Sequence, residues 1–200
     1  MKKVNLGCGN TTPKEWINVD YAPGAFLAKI PIVNALKLTK MKWDNNIKIH
    51  NLLKPFPWPT NSIDEVYTSH TLEHFTRQEG KRFLLECYRV LKRGGVIRVV
   101  VPDLKAEINS YLSGKTHSDF FVEHLMVLYP NPRNLLQKLL MPLIAFPHKC
   151  MYDSEALLAI LNKIGFRASA KNPFESKIDD IRDIELEERT VNAVIVEAIK

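Results

Sequence analysis

The sequence predicts a mostly parallel α/β sheet that ends in a pair of adjacent terminal strands. Three observations carry this. Short apolar runs alternate with longer stretches of helical spacing, the pattern of strand, crossover and strand. A glycine turn, Gly7-Cys8-Gly9, directly follows the first apolar run. A β-branched run, Val96 to Val101, is bounded by Gly94-Gly95 and Pro102, the punctuation of a buried strand.

In chain order, Lys3–Gly7 reads as the first strand, Trp16–Asp20 as the second, and Ile47–Leu52 as the third, with period-two alternation. Glu65–Ser69 is the fourth and Val96–Val101 the fifth. Between these last two, Phe83, Leu84, Cys87, Val90 and Leu91 recur at helical spacing. Lys92 and Arg93 suit the last turn of that helix, and Gly94 suits its stop. A second helix is expected from Ser154 to Gly165 behind an Asp153 or Ser154 cap. Ala168–Asn172 is a weak strand and Asn192–Ile199 a strong one, with a charged loop, Phe174–Thr190, between them.

Residues 104–152 break the pattern. Two apolar helical stretches, Phe120–Pro130 and Leu135–Pro147, are interrupted by prolines and read as an insertion after the fifth strand. Its apolar residues fit a lid over the site first, a dimer face second, and a peripheral membrane patch with Arg133, Lys138 and Lys149 third. Two hundred residues then make one domain, 1–200, with a sizeable core.

Composition narrows the class. The three cysteines form no C-x-x-C pair, which argues against a disulfide framework or zinc knuckle and for a reducing cytoplasm. The start, MKKVNLG, turns polar too soon for a signal peptide, and no run reaches the ~18 apolar residues that span a bilayer. The net charge of +6 is uneven: residues 1–116 hold eighteen basic and ten acidic side chains, residues 174–200 four and eight. A basic front attracts anions, but no aromatic-and-basic platform for stacked bases accompanies it, so a nucleic-acid partner is disfavoured.

The glycine turn asks for a ligand. A dinucleotide fingerprint wants a third glycine, here displaced by Thr12, and a helix facing the pyrophosphate. Only Asn10–Glu15 separate the first two strands, too few for a crossover helix of about a dozen residues. A Walker phosphate loop fails for want of G-K-[ST]. Asp20 closes the second strand, where a carboxylate can accept from ribose hydroxyls. Asn51 closes the third and Ser69-His70 the fourth. An adenosine cofactor without phosphate fits these positions best.

The segments VNLGCGN, WINVD, IHNLLKPFPWPTNSIDEVYTSHTLEHF and RVLKRGGVIRVVVPD together resemble the class I S-adenosylmethionine-dependent methyltransferases, most closely the small type 11 branch, some of whose members accompany glycan biosynthesis. The resemblance is strong over residues 3–103. It implies a Rossmann-like sheet with an antiparallel last strand, and S-adenosylmethionine as cofactor. It implies that Gly7, Cys8 and Gly9 line the methionine and ribose part, and that Asp20 holds the ribose hydroxyls with Tyr21 beside it. Asn51 and Leu52 would bracket adenine, and Ser69 and His70 would approach the methionine end. Asn5 stands where the family often has an acidic residue for the cofactor's ammonium, and Thr11 where many members have a third glycine. The first crossover helix is expected to be reduced or absent.

Methyl transfer to a protonated oxygen or nitrogen calls for a base, and His70 and His148 are the candidate catalytic residues. Cys8 is expected to be a small neutral filler. His70-Thr71-Leu72-Glu73-His74 spells the zinc-peptidase string H-x-x-E-H, but it straddles a strand end and a helix start, which excludes that role. A divalent ion on Glu73 and His74 is conceivable, since some O-methyltransferases resembling this segment use one. The expectation is no metal, with Glu73 at a helix N-terminus and His74 packed under the cofactor loop. The expected activity is methyl transfer to a small-molecule or glycan-linked acceptor at oxygen. The rivals are a cofactor-binding module without catalysis, an RNA methyltransferase and, last, a nicotinamide oxidoreductase.

Overall fold

The computed structural model of the protein describes residues 1–29, 44–127, 135 and 146–200. Seven strands form one sheet in the order β3-β2-β1-β4-β5-β7-β6. They are β1 (Lys3–Leu6), β2 (Trp16–Asp20), β3 (Lys48–Ile49), β4 (Ile63–Ser69), β5 (Leu91–Pro102), β6 (Arg167–Ala170) and β7 (Ala193–Ile199). β7 runs antiparallel to both β5 and β6; the other pairs are parallel. The Rossmann-like sheet, its antiparallel last strand and the pair of terminal strands are as the sequence predicts.

β1 and β2 lie side by side in register, Val4 against Ile17 and Leu6 against Val19, with no helix between them. The short connection is held by side-chain amides instead. Asn5 Nδ2 donates to Thr11 O (2.9 Å) and to Asn18 Oδ1 (3.2 Å), and Asn18 Nδ2 donates to Pro13 O (3.0 Å). These bonds satisfy carbonyls that a helix would have satisfied along its own backbone.

The two faces of the sheet are covered differently. Val4, Leu6, Val66, Ile97 and Val99 pack under two helices, α2 (Arg77–Val90) and α5 (Ser154–Ile164). Thr76 opens α2 with a reciprocal capping box to Glu79, and Asp153 caps α5 through Ala156 N at 2.7 Å. Gly165 at φ +116° stops α5 as expected. α2, by contrast, ends at Val90 rather than in Lys92–Arg93. Leu91 pairs with Ile63, so the sheet takes over three residues before Gly94.

The opposite face, where the missing crossover helix would lie, carries Trp16, Tyr67, Val100 and Ile195. The stretch expected to be a charged loop covers it. Ile178, Ile181 and Ile184 are buried there, in and around a 3-10 turn at Ile181–Asp183. A short helix, α6 (Glu187–Thr190), follows. Asp180 of the same stretch meets Lys3 Nζ at 2.7 Å and Trp16 Nε1 at 3.1 Å. The acidic end of the chain thus docks on its basic front.

β3 is two residues long rather than six. Among the described residues it pairs with Val19 and Asp20, and the Asn51 side chain accepts from Leu53 N (2.9 Å), which turns the chain away. A short helix, α1 (Pro23–Ala28), follows β2. After β5, the insertion holds α3 (Leu104–Leu112) and α4 (Ser118–His124). Of its second apolar stretch, Leu136–Ala145 lie outside the described residues. Among the described residues, no helix is long and apolar enough to cross a membrane.

Candidate active site

The carboxyl edge of the parallel strands collects nearly every residue singled out in the sequence. Gly7 sits at φ +74° and Gly9 at φ +54°. A Cβ on Gly7 would fall 2.1 Å from Thr71 Oγ1, so this glycine lets the turn close on the strand-β4 loop. A Cβ on Gly9 would meet nothing within 4 Å, so that position faces open space, as a ligand cradle requires. Asp20 organises the turn. One carboxylate oxygen accepts from Gly9 N and the other from Ala22 N, both at 2.7 Å. Each oxygen keeps a lone pair, so the carboxylate fits a hydroxylated ligand.

Burial, with the nearby Asp20 carboxylate adding to it, pushes the Cys8 thiol up to about 12, which keeps it protonated and unreactive. Tyr21 is half exposed and packs edge-on against Phe26. Asn51 turns its Oδ1 to Leu53 N, and Leu52 is buried in the main core, so its side chain contributes packing there. Asn5 is committed to the β1–β2 connection through its amide nitrogen.

Asn5, Gly7, Cys8, Thr11, Tyr67, Ser69, Ile184 and Arg189 line one crevice. Ile184 and Arg189 come from the stretch before β7, which therefore walls the site where the crossover helix is missing. Arg189 carries no motif that sequence inspection could detect. Within the crevice the Ser69 hydroxyl and the Tyr67 phenol are buried with no hydrogen-bond partner among the described residues, and burial pushes the phenol up to about 12. Unpartnered buried hydroxyls and an unfilled glycine position suit a polar ligand such as an aminoacyl group.

At the methionine end expected from the sequence, His70 adopts φ +49°, a left-handed backbone rare outside glycine and concentrated at functional sites. Val100 O holds its N–H at 2.9 Å. Its Nε2 lies 2.9 Å from Arg189 O; a carbonyl only accepts, so Nε2 carries the proton and Nδ1 presents a lone pair. Nδ1 lies 3.5 Å from Glu73 Oε1. Burial holds the His70 imidazole below its ordinary range.

Glu73 and His74 lie in a 3-10 turn, Leu72–His74, and α2 starts only at Arg77. Glu73 is therefore not at a helix N-terminus, as expected, but fully buried, and neither carboxylate oxygen has a hydrogen-bond partner. Burial pushes its carboxyl up to about 8. The insertion returns here. Lys149 N and Cys150 N both donate to Glu73 O, at 2.8 and 3.1 Å, and seat His148 beside it. His148 is buried, with Nε2 3.9 Å from Glu73 Oε1 and its ring 5.1 Å from that of His74. Burial, and then the neighbouring His74, push its imidazole down to about 4. The structure thus gathers both candidate catalytic histidines around one carboxylate.

This sheet, with a glycine turn and a strand-end aspartate at its carboxyl edge, has the fold of S-adenosylmethionine-dependent methyltransferases. Residues 4–99, just under half of the chain, match the type 11 family model described as "Methyltransferase domain". Solved structures agree in fold. A SAM-dependent methyltransferase from Archaeoglobus fulgidus is 19% identical, with all of this chain and 86% of that one covered, at a TM-score of 0.53. One from Aquifex aeolicus is 15% identical over all of this chain and 81% of that one, at 0.51. A Haloferax volcanii protein solved with the Trm112 methyltransferase activator is 14% identical over 99% and 81%, at 0.52. No curated protein matches the sequence.

Proposed function

We propose that the protein transfers the methyl group to a hydroxyl of a small-molecule or glycan-linked acceptor. The observation that carries this is the His70 imidazole, whose Nδ1 lone pair is fixed by the bond to Arg189 O at the edge of the cofactor crevice. S-adenosylmethionine supplies an electrophilic methyl on a sulfonium. Displacement there needs alignment, worth ~7–11 kcal/mol when complete, and a place for the acceptor's proton.

In this account Asp20 accepts from the ribose hydroxyls, Gly9 leaves room for the cofactor's backbone approach, and Asn51 offers its amide to adenine. Gly7, Cys8 and Ser69 line the methionine part, with Asn5 Oδ1 beside them. Arg189, charged and lining the same crevice, holds the methionine carboxylate. His70 Nδ1 takes the acceptor proton as the oxygen–carbon bond forms, and Glu73, 3.5 Å away, flanks the imidazole. His148 orients Glu73. The returning end of the insertion, residues 146–150, borders the acceptor side. The work is that of a cytoplasmic enzyme on a soluble acceptor, with a second copy or a membrane surface as the other uses of the insertion.

The test is methyl transfer from labelled S-adenosylmethionine to three pools: hydroxylated small molecules and glycosides, primary amines, and RNA. Label in the hydroxyl pool, lost in His70→Ala, is expected. Label confined to amines or RNA would overturn the oxygen acceptor.

A further inference from the structure

Glu73, His74 and His148 lie outside the cofactor crevice, and their geometry asks for a positive centre. One ligand-capable atom from each lies within 4.8 Å of the others, and Glu73 and His148 are buried. Both oxygens of the Glu73 carboxylate are buried without a hydrogen-bond partner, a costly arrangement that a bound cation removes. His74 Nδ1 faces Pro147 O at 3.4 Å, so that nitrogen carries the proton and Nε2 is left as a free lone pair. A metal-binding histidine is ordinarily oriented in this way, by its other ring N–H donating to a backbone carbonyl. His148 presents Nε2 to the same carboxylate at 3.9 Å, and the paired bonds of Lys149 N and Cys150 N to Glu73 O pin its segment in place.

We propose that Glu73, His74 and His148 form a binding site for one first-row divalent transition ion, zinc being the best match. Two imidazoles and one carboxylate suit zinc, cobalt, nickel or iron; magnesium and calcium prefer an all-oxygen set. Three protein ligands leave a coordination position open, as in catalytic rather than structural zinc sites. His70 Nδ1, 3.5 Å from Glu73 Oε1, sets the proposed base next to this cluster. There the ion polarises the acceptor hydroxyl, and its proton passes to His70. The role of the ion rests on the oxygen-acceptor reading; its binding does not. The expectation from sequence is no metal, with Glu73 favouring a helix N-terminus and His74 packed under the cofactor loop; Glu73 instead lies buried in a 3-10 turn ahead of α2.

The test is titration of chelator-treated full-length protein with zinc chloride by calorimetry, with retained metal counted by mass spectrometry after dialysis. One equivalent is expected. Glu73→Gln and His148→Ala should each weaken binding roughly a hundredfold or more while still binding S-adenosylhomocysteine, which reports the fold. Wild-type protein that binds S-adenosylhomocysteine but retains no stoichiometric zinc overturns the site. So does zinc retention undiminished in both variants. Failure of S-adenosylhomocysteine alone, with zinc retained, would overturn the cofactor assignment and leave the metal site standing.

Discussion

Arg98 on β5 and Glu185 in the stretch before β7 form a two-pronged ion pair, Nε to Oε1 at 2.7 Å and Nη2 to Oε2 at 2.8 Å, with both side chains fully buried. The remaining guanidinium donors reach Glu175 O and Asn172 O. This cluster fastens the stretch that replaces the first crossover helix, and through it the wall formed by Ile184 and Arg189. Removing Glu185 leaves the buried Arg98 charge with Glu197 alone, its Oε2 3.6 Å from Nη1, so Glu185→Ala should cost about 3 kcal/mol of unfolding free energy. Denaturant unfolding checks this. A loss below about 1 kcal/mol would mean that water reaches the pair.

Arg189 should bind the methionine carboxylate and nothing of the nucleoside. Arg189→Ala is expected to weaken S-adenosylhomocysteine about tenfold or more, the loss of a charge-assisted bond. Binding of methylthioadenosine, which lacks the amino-acid end, should not change. Equal losses for both ligands would assign Arg189 a purely structural role.

Gly7→Ala should destabilise the protein by about 2 kcal/mol or more, since it adds left-handed strain to a clash with Thr71. Gly9→Ala meets no atom of the protein and should cost less in thermal unfolding than in cofactor affinity. The reverse pattern would exchange the roles of the two glycines.

Asp180 carries a pH dependence. Burial raises its carboxyl, but the hydrogen bonds from Lys3 and Trp16 outweigh that and hold it below the ordinary aspartate range. A carboxylate depressed in the folded state stabilises above its unfolded pKa and loses that contribution as pH falls through the folded value. Asp180→Asn should therefore cost about 1–2 kcal/mol at pH 7, and the gap from wild type should close below about pH 4. A gap independent of pH would show that the charge is not what matters.

Much of the sheet was legible because its signals are local. β5 is β-branched and punctuated, α5 is capped at both ends, and six residues cannot form a crossover helix. Gly7, Gly9, Asp20 and His70 could be placed because strand ends bring them to one edge. The cover of the opposite face could not be read from charge. Ile178, Ile181 and Ile184, every third residue, were its one apolar sign, and twelve acidic and basic neighbours over residues 174–200 obscured it. Arg189 depends on that docking and was missed with it. The burial of Glu73 depends on the return of residues 147–150 from the insertion, a long-range contact with no local trace. β3 was overestimated because the alternation through Asn51 and Leu52 belongs to a turn.

The most direct test of the cofactor site is calorimetric titration of the protein with S-adenosylhomocysteine and with NAD, repeated for Asp20→Ala. The account predicts one S-adenosylhomocysteine bound per chain, no NAD, and at least about a tenfold loss of affinity in the variant, whose charge-assisted bonds are worth ~1.5–3 kcal/mol each. Tight NAD binding with no response to S-adenosylhomocysteine would contradict it, as would an Asp20→Ala protein that binds S-adenosylhomocysteine as tightly as wild type.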